Sequence, residues 1–139
     1  STTPVENQAV YAALEEKQDK LTLLWENSSP TSVFAAQTIL NDGTIADYDL
    51  FLIHFKEQAT TATSSEFMFW YSKTSGTNVT TARWVSWTGG NVFFNSRSFS
   101  VTDSGGIAFQ AGLRYTQGAS SSTTNNAYMV PWEVYGLKL

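Results

Sequence analysis

The stretch Tyr48-Asp49-Leu50-Phe51-Leu52-Ile53-His54-Phe55 decides how this chain is read. Its odd and its even positions are both apolar. A strand built from it would be covered on both faces, at the centre of a sheet. The neighbouring Glu66–Lys73 is aromatic and alternating, with Phe67, Phe69 and Tyr71 on one face and Met68 and Trp70 on the other. Val79–Trp87 predicts a further strand that turns through Thr88-Gly89-Gly90-Asn91, a hairpin loop. Val92–Thr102 follows and stops at Asp103-Ser104-Gly105-Gly106. Ile107–Tyr115 alternates again, with Ile107, Phe109, Ala111 and Leu113 facing one way.

Nearer the N-terminus, Leu21–Glu26 is a short apolar run closed by the turn cluster Asn27-Ser28-Ser29-Pro30. Gln37–Leu40 predicts a short strand ending at Asn41-Asp42-Gly43. Gln117–Asn126 is a polar loop of Ser, Thr and Asn. The final segment, Ala127–Leu139, is broken by Pro131, which predicts an edge position or a bulge. About eight short strands at regular spacing predict an all-β domain, a β-sandwich or jelly-roll-like head.

Val5–Lys20 has a different character. Ala9, Ala12, Ala13, Leu14, Glu15, Glu16, Lys17 and Gln18 are nearly all good helix formers. Val10, Leu14 and Leu21 keep helical spacing if the Lys17 stem is counted, and Tyr11, Leu14, Gln18 and Leu21 fit a heptad equally well. A helix this short is marginal alone in water but stable when parallel copies pack along such a seam. A single amphipathic helix docked on its own domain is the alternative. The expected organisation is a helical, trimeric coiled-coil neck over residues 1–20 and a β-sandwich head over residues 21–139.

Composition narrows the function. Of 139 residues, 42% are hydrophobic and only 14% charged, against roughly 25% charged in ordinary soluble domains. Ser and Thr fill the gap, which suits an extracellular surface of hydroxyl groups. The net charge is -4 and the eight basic residues never cluster, so no nucleic acid partner is expected. No polybasic anchor is visible, and no apolar run approaches the roughly 18 residues of a spanning helix, so no membrane insertion is expected. No signal peptide is visible, so release by lysis is the expected export route. The chain begins at Ser1, which reads as part of something longer. With no cysteine, disulfides and thiolate metal sites are excluded, and oligomerisation is a natural alternative source of stability.

The residues offer little to catalysis. The one histidine, His54, lies in the most apolar strand and reads as a core or interface residue. No nucleophile elbow is present. Asp42, Asp47 and Asp49 read as a polar turn entering a strand more readily than as a calcium loop. Glycosidase chemistry needs two carboxyl groups at a set separation; Glu57, Glu66, Asp103 and Glu133 are the candidates, and nothing in the sequence joins any two. No cofactor and no metal are expected.

Aromatic residues are the positive signal, at 14% with five tryptophans. Sugars stack their apolar C–H faces on such rings while a few polar groups fix the hydroxyls. Arg83, Trp84 and Trp87 lie together before the Gly89-Gly90 loop, with the two tryptophans on opposite faces. Trp132 lies beside Glu133 near Pro131. Core or interface packing is the competing reading for each tryptophan. The expected saccharide site draws on Arg83, Trp84, Trp87, Trp132 and Glu133, within a subunit or across a subunit boundary, and Arg83 suits a phosphate-bearing polymer.

The run Ala12-Ala13-Leu14-Glu15-Glu16-Lys17-Gln18-Asp19-Lys20-Leu21-Thr22 resembles the "ALxxKQDxLT" neck common in bacteriophage tail fibres. Leu24-Trp25-Glu26-Asn27-Ser28-Ser29-Pro30, continuing to Phe34 and Gln37-Thr38-Ile39, resembles the opening of a receptor-binding head domain in phages and prophages of Gram-positive hosts. Tyr48-Asp49-Leu50-Phe51-Leu52-Ile53 is similar to the strand that follows there. Val130-Pro131-Trp132-Glu133-Val134-Tyr135-Gly136-Leu137 is similar to that family's terminal "hPxxIYGI". The resemblance implies a homotrimer at the tail tip, attached to the rest of the fibre or baseplate, that adsorbs the virion to a host cell-surface polysaccharide. Residues Ala59–Asn95 match no fixed pattern of the family. A glycan-degrading tip enzyme and a purely structural trimerisation module remain the alternatives.

Overall fold

The computed structural model describes residues 7–13, 21–60, 66–72, 79–102 and 106–139. Among the described residues, nine strands follow one another: β1 (Leu21–Glu26), β2 (Gln37–Ile39), β3 (Leu50–Gln58), β4 (Glu66–Ser72), β5 (Thr80–Thr88), β6 (Asn91–Thr102), β7 (Gly106–Thr116), β8 (Thr123–Thr124) and β9 (Tyr128–Leu137). They form two antiparallel sheets, making the chain all-β. The first has the order β1-β9-β3-β4; the second has the order β2-β7-β6-β5, with β8 beside β7.

The two sheets share one core. The inward positions of β3, Phe51, Ile53 and Phe55, are fully buried and meet Phe99 and Val101 of β6, Ile107 and Phe109 of β7, and Val134 of β9. Phe109 is the hub: the rings of Phe34, Phe99 and Phe55 stand 5.7, 5.8 and 6.2 Å from it, edge-on or tilted, the arrangement favoured by aromatic quadrupoles. β3 is central, paired on both sides, and its outward residues Leu52, His54 and Lys56 are buried as well. That accounts for the two-sided apolar pattern.

One fully buried residue of this core is charged. Arg97 of β6 donates from Nε to Met129 O at 2.5 Å, from one terminal nitrogen to Gln110 O at 2.7 Å, and from the other to Tyr128 O at 3.0 Å. Its guanidinium lies over the Phe34 ring. Burial draws its pKa down to about 10, which leaves it charged at neutral pH. Arg97 thereby ties β6 of one sheet to the start of β9 in the other, where Met129 takes a left-handed backbone (φ 51°). Such a conformation persists in a non-glycine residue only when the surroundings hold it.

Local signals explain most boundaries. Gly89 and Gly90 both have positive φ (61° and 81°), the twist a two-residue hairpin between right-twisted strands requires. Asn27 closes β1 by donating from its backbone to Trp132 O at 2.7 Å and from its side chain to Pro131 O at 2.9 Å. Thr44–Asp47 forms a short 3-10 helix after an Asp42 side chain that accepts from the Thr44 backbone at 3.0 Å.

Three expectations change. The strand containing Pro131 is not an edge: β9 lies between β1 and β3. The bulge half of that expectation holds, because His54 pairs with Glu133 and Phe55 with Pro131, which leaves Trp132 as an extra residue. Leu113 does not follow Ile107 and Phe109 inward. One extra residue in β7, where Gln110 and Ala111 face the single Ser98 of β6, reverses the faces, so Gly112 points in and Leu113 points out. The Gln117–Asn126 loop contains β8. In the expected neck, residues 7–13 are helical, with Val10 and Tyr11 exposed; Leu14, Lys17 and Gln18 lie outside the described residues.

Candidate functional site

β5 sorts its residues by alternation. Ala82 is buried and Trp84 packs against the core, while Arg83, Val85 and Trp87 point away from it. Trp87 is 75% exposed, far from what core packing would give a tryptophan. On the same outward face the register sets Ser96 between Arg83 and Leu113, and Phe94 between Val85 and Tyr115. Arg83, Phe94, Ser96, Leu113, Tyr115 and Ser122 line a cavity of about 340 Å³.

The groove walls are held in place. Tyr115 donates its hydroxyl to Ala119 O at 2.7 Å and its ring stands 5.9 Å from that of Phe94. β8 pairs with Leu113 and Arg114 and keeps the Ser122 loop against the rim. Among the described residues, no carboxylate lines the groove and Arg83 has no ion-pair partner. The site therefore offers a planar cationic fork, apolar ring surface and hydroxyls.

Trp132 and Glu133 lie elsewhere, on the outward face of the other sheet. His54 Nδ1 is 2.9 Å from Glu133 Oε1, and Nε2 is 3.2 Å from Glu66 Oε2. A neutral imidazole can donate to one of these carboxylates; an imidazolium donates to both. Tyr135 donates its hydroxyl to the second oxygen of Glu133 at 2.6 Å. That bond is the main reason the Glu133 carboxyl is held below its ordinary pKa, with His54 adding to it. The same bond, followed by burial, pushes the Tyr135 phenol up to about 12. The indole of Trp132 stacks on the His54 ring, 4.9 Å between centroids at 26°, and Lys56 Nζ lies 5.3 Å from the indole centroid.

Trp84 and Trp87 lie on opposite faces of β5 as expected, and the candidate saccharide residues are divided: Arg83 and Trp87 on one outward face, Trp84 towards the core, Trp132 and Glu133 on the opposite outward face. A single pocket drawing on both segments would need a second copy of the chain. His54 is buried as expected, yet on the outward side of β3. Of the candidate carboxylates, Glu66 and Glu133 are brought together, one on each nitrogen of the His54 imidazole. Glu57 sits near Arg114, and Asp103 lies outside the described residues. Asp42 holds its turn, and Asp49 accepts the Leu139 backbone N–H at 2.9 Å.

Sequence reasoning missed Phe94, Ser96, Tyr115 and Ser122 as groove residues. The doublet Phe93-Phe94 carried a signal, since adjacent strand residues cannot both face the core. No family model, curated protein or solved structure matches this chain.

Proposed function

We propose that this chain is the tip domain of a bacteriophage tail fibre, a non-catalytic receptor-binding module that attaches the virion to a host cell-surface saccharide. It acts as a homotrimer, with a jelly-roll-like sandwich head on a coiled-coil neck, joined to the rest of the fibre or baseplate. The observation that carries this reading is the outward groove of β5, β6 and β7. A cationic Arg83 with no ion-pair partner among the described residues, the rings of Phe94 and Tyr115, and hydroxyl donors converge there, with Trp87 exposed on the same face. Sugar recognition needs a stacking surface and a few fixed polar groups. Three copies turn weak single-site binding into firm adhesion.

Arg83→Ala and Trp87→Ala test it. Both side chains are exposed, so each substitution is expected to change stability by less than about 0.5 kcal/mol while reducing host-cell binding. Trp84→Ala is the contrast, losing roughly 3–5 kcal/mol because it removes a ring packed against the core. Unchanged cell binding in both groove variants refutes this location. Release of soluble sugar from host walls would favour the enzyme alternative, and a fragment that trimerises without binding cells would favour the structural one.

A further inference from the structure

We infer that Trp132 is a second, separate contact surface, a flat platform for a neutral pyranose ring on the outward face of the four-stranded sheet. Trp132 is the inserted residue of the β9 bulge, and bulges re-aim a side chain out of the alternating pattern. Its backbone is fixed, because Trp132 O accepts from Asn27 N at 2.7 Å and Pro131 O from Asn27 Nδ2 at 2.9 Å. Its indole lies on His54 and Lys56, two residues apart on the same side of β3, so the ring runs along that strand. The residue keeps part of its surface exposed.

The support beneath the ring is itself pinned. His54 is held between Glu133 and Glu66, Glu133 is held by Tyr135, and Lys56 donates to Thr60 O at 3.2 Å. An apolar ring locked from below and partly exposed is a preorganised stacking surface, since little rotamer freedom is lost when a ligand settles on it.

The rim sets the ligand class. Glu66 and Glu133 flank the platform, and Glu26 pairs across from Glu133 on β1. Carboxylates accept hydrogen bonds from sugar hydroxyls and repel anionic groups. This face therefore takes neutral pyranoses, whereas the Arg83 groove suits an anionic unit. The inference rests on the glycan-binding reading only for the class of ligand, and the two surfaces fail independently.

The test uses the intact chain in its assembled state. The Trp132 indole N–H resonance is identified by its loss in Trp132→Phe, and the protein is titrated with methyl glucopyranoside, methyl galactopyranoside and N-acetylglucosamine, then with glycerol phosphate. At least one neutral pyranoside is expected to shift that resonance saturably, and glycerol phosphate is not. The shift is expected to survive Arg83→Ala and Trp87→Ala. Glu66→Ala, at a side chain 44% exposed, removes a rim acceptor and unpins His54; it is expected to weaken binding several-fold with little change in melting. The inference is overturned if no neutral pyranoside moves the resonance at tens of millimolar, if the shift disappears in Arg83→Ala, or if Glu66→Ala leaves the affinity unchanged. A silent Trp132 with a groove that still binds host cells would overturn this site and leave the proposed function standing.

Discussion

Replacing Arg97 with Met should be among the most damaging single changes to the head. The side chain is fully buried and makes three hydrogen bonds, all to backbone carbonyls of Met129, Gln110 and Tyr128. Bonds from a charged donor are worth roughly 1.5–3 kcal/mol each, so the gross loss is on the order of 4–9 kcal/mol. Removing a desolvated guanidinium returns several kcal/mol, which leaves a net destabilisation of about 3–5 kcal/mol. Against a typical domain stability of about 5–15 kcal/mol, that is a large fraction. Urea unfolding measures it as a fall in midpoint at unchanged slope. Arg97→Lys separates fork from charge. An ammonium keeps the buried charge but cannot span three diverging carbonyls, so Lys should be no better than Met. A Met variant within about 1 kcal/mol of the parent, or a Lys variant clearly milder than Met, would refute the argument that the fork geometry holds the sheets together.

Other outcomes follow from the same contacts. Gly112→Ala sets a Cβ 2.6 Å from Asn125 O and 2.8 Å from both Tyr128 O and an Arg97 nitrogen; thermal melting should report a loss of about 1–3 kcal/mol or more. Glu133, whose folded pKa is lowered, contributes stability that is fully present above its unfolded value of about 4.5 and lost as pH falls through the folded value; urea midpoints measured from pH 5 to pH 3 should show this decline, and Glu133→Gln should flatten it. Tyr135→Phe removes the 2.6 Å bond to Glu133, so the Glu133 carboxyl titration followed by NMR should move upward. Sedimentation at micromolar concentration should give the mass of three chains, and a monomer would count against the fibre-tip reading.

Strands were legible wherever the pattern is set by local burial. The two-sided run around Phe51 to Phe55 marks a central strand because both of its faces are covered, and Gly89-Gly90 marks a hairpin because only that backbone twist fits. What the sequence hides is set by partners distant along the chain. Whether the strand with Pro131 lies at an edge depends on β1 joining from more than a hundred residues away. The reversal at Leu113 depends on an extra residue in β7, where Gln110 and Ala111 stand opposite the single Ser98 of β6, and a run of alternating residues does not record its register against a neighbour. The site divided for the same reason. Arg83 and Trp132 look alike as aromatic or cationic punctuation in polar surroundings, but their sheets present opposite outward faces. His54 reads as a buried histidine, while its two carboxylate partners lie 12 and 79 residues away and leave no trace in its local sequence.

The position of β9 also dictates an order of assembly. On a growing chain, β5, β6 and β7 can zip together as soon as they emerge, because each pairs with the next. The first sheet cannot follow. β1 pairs with β9, and β3 has its second neighbour only in β9, so residues 21–26 wait for partners at 133–137 while everything between them is made. Until then the two-sided apolar strand β3 has one side open, a surface ready to pair with another chain. Closure of that sheet is a long-range step, slow by the logic of sequence separation, and it completes the platform under Trp132 at the same moment. A nascent or truncated chain lacking residues 128–137 would present an incomplete core, without Met129, Val130 and Val134. The first sheet and the core it shares with the second thus close in one final event.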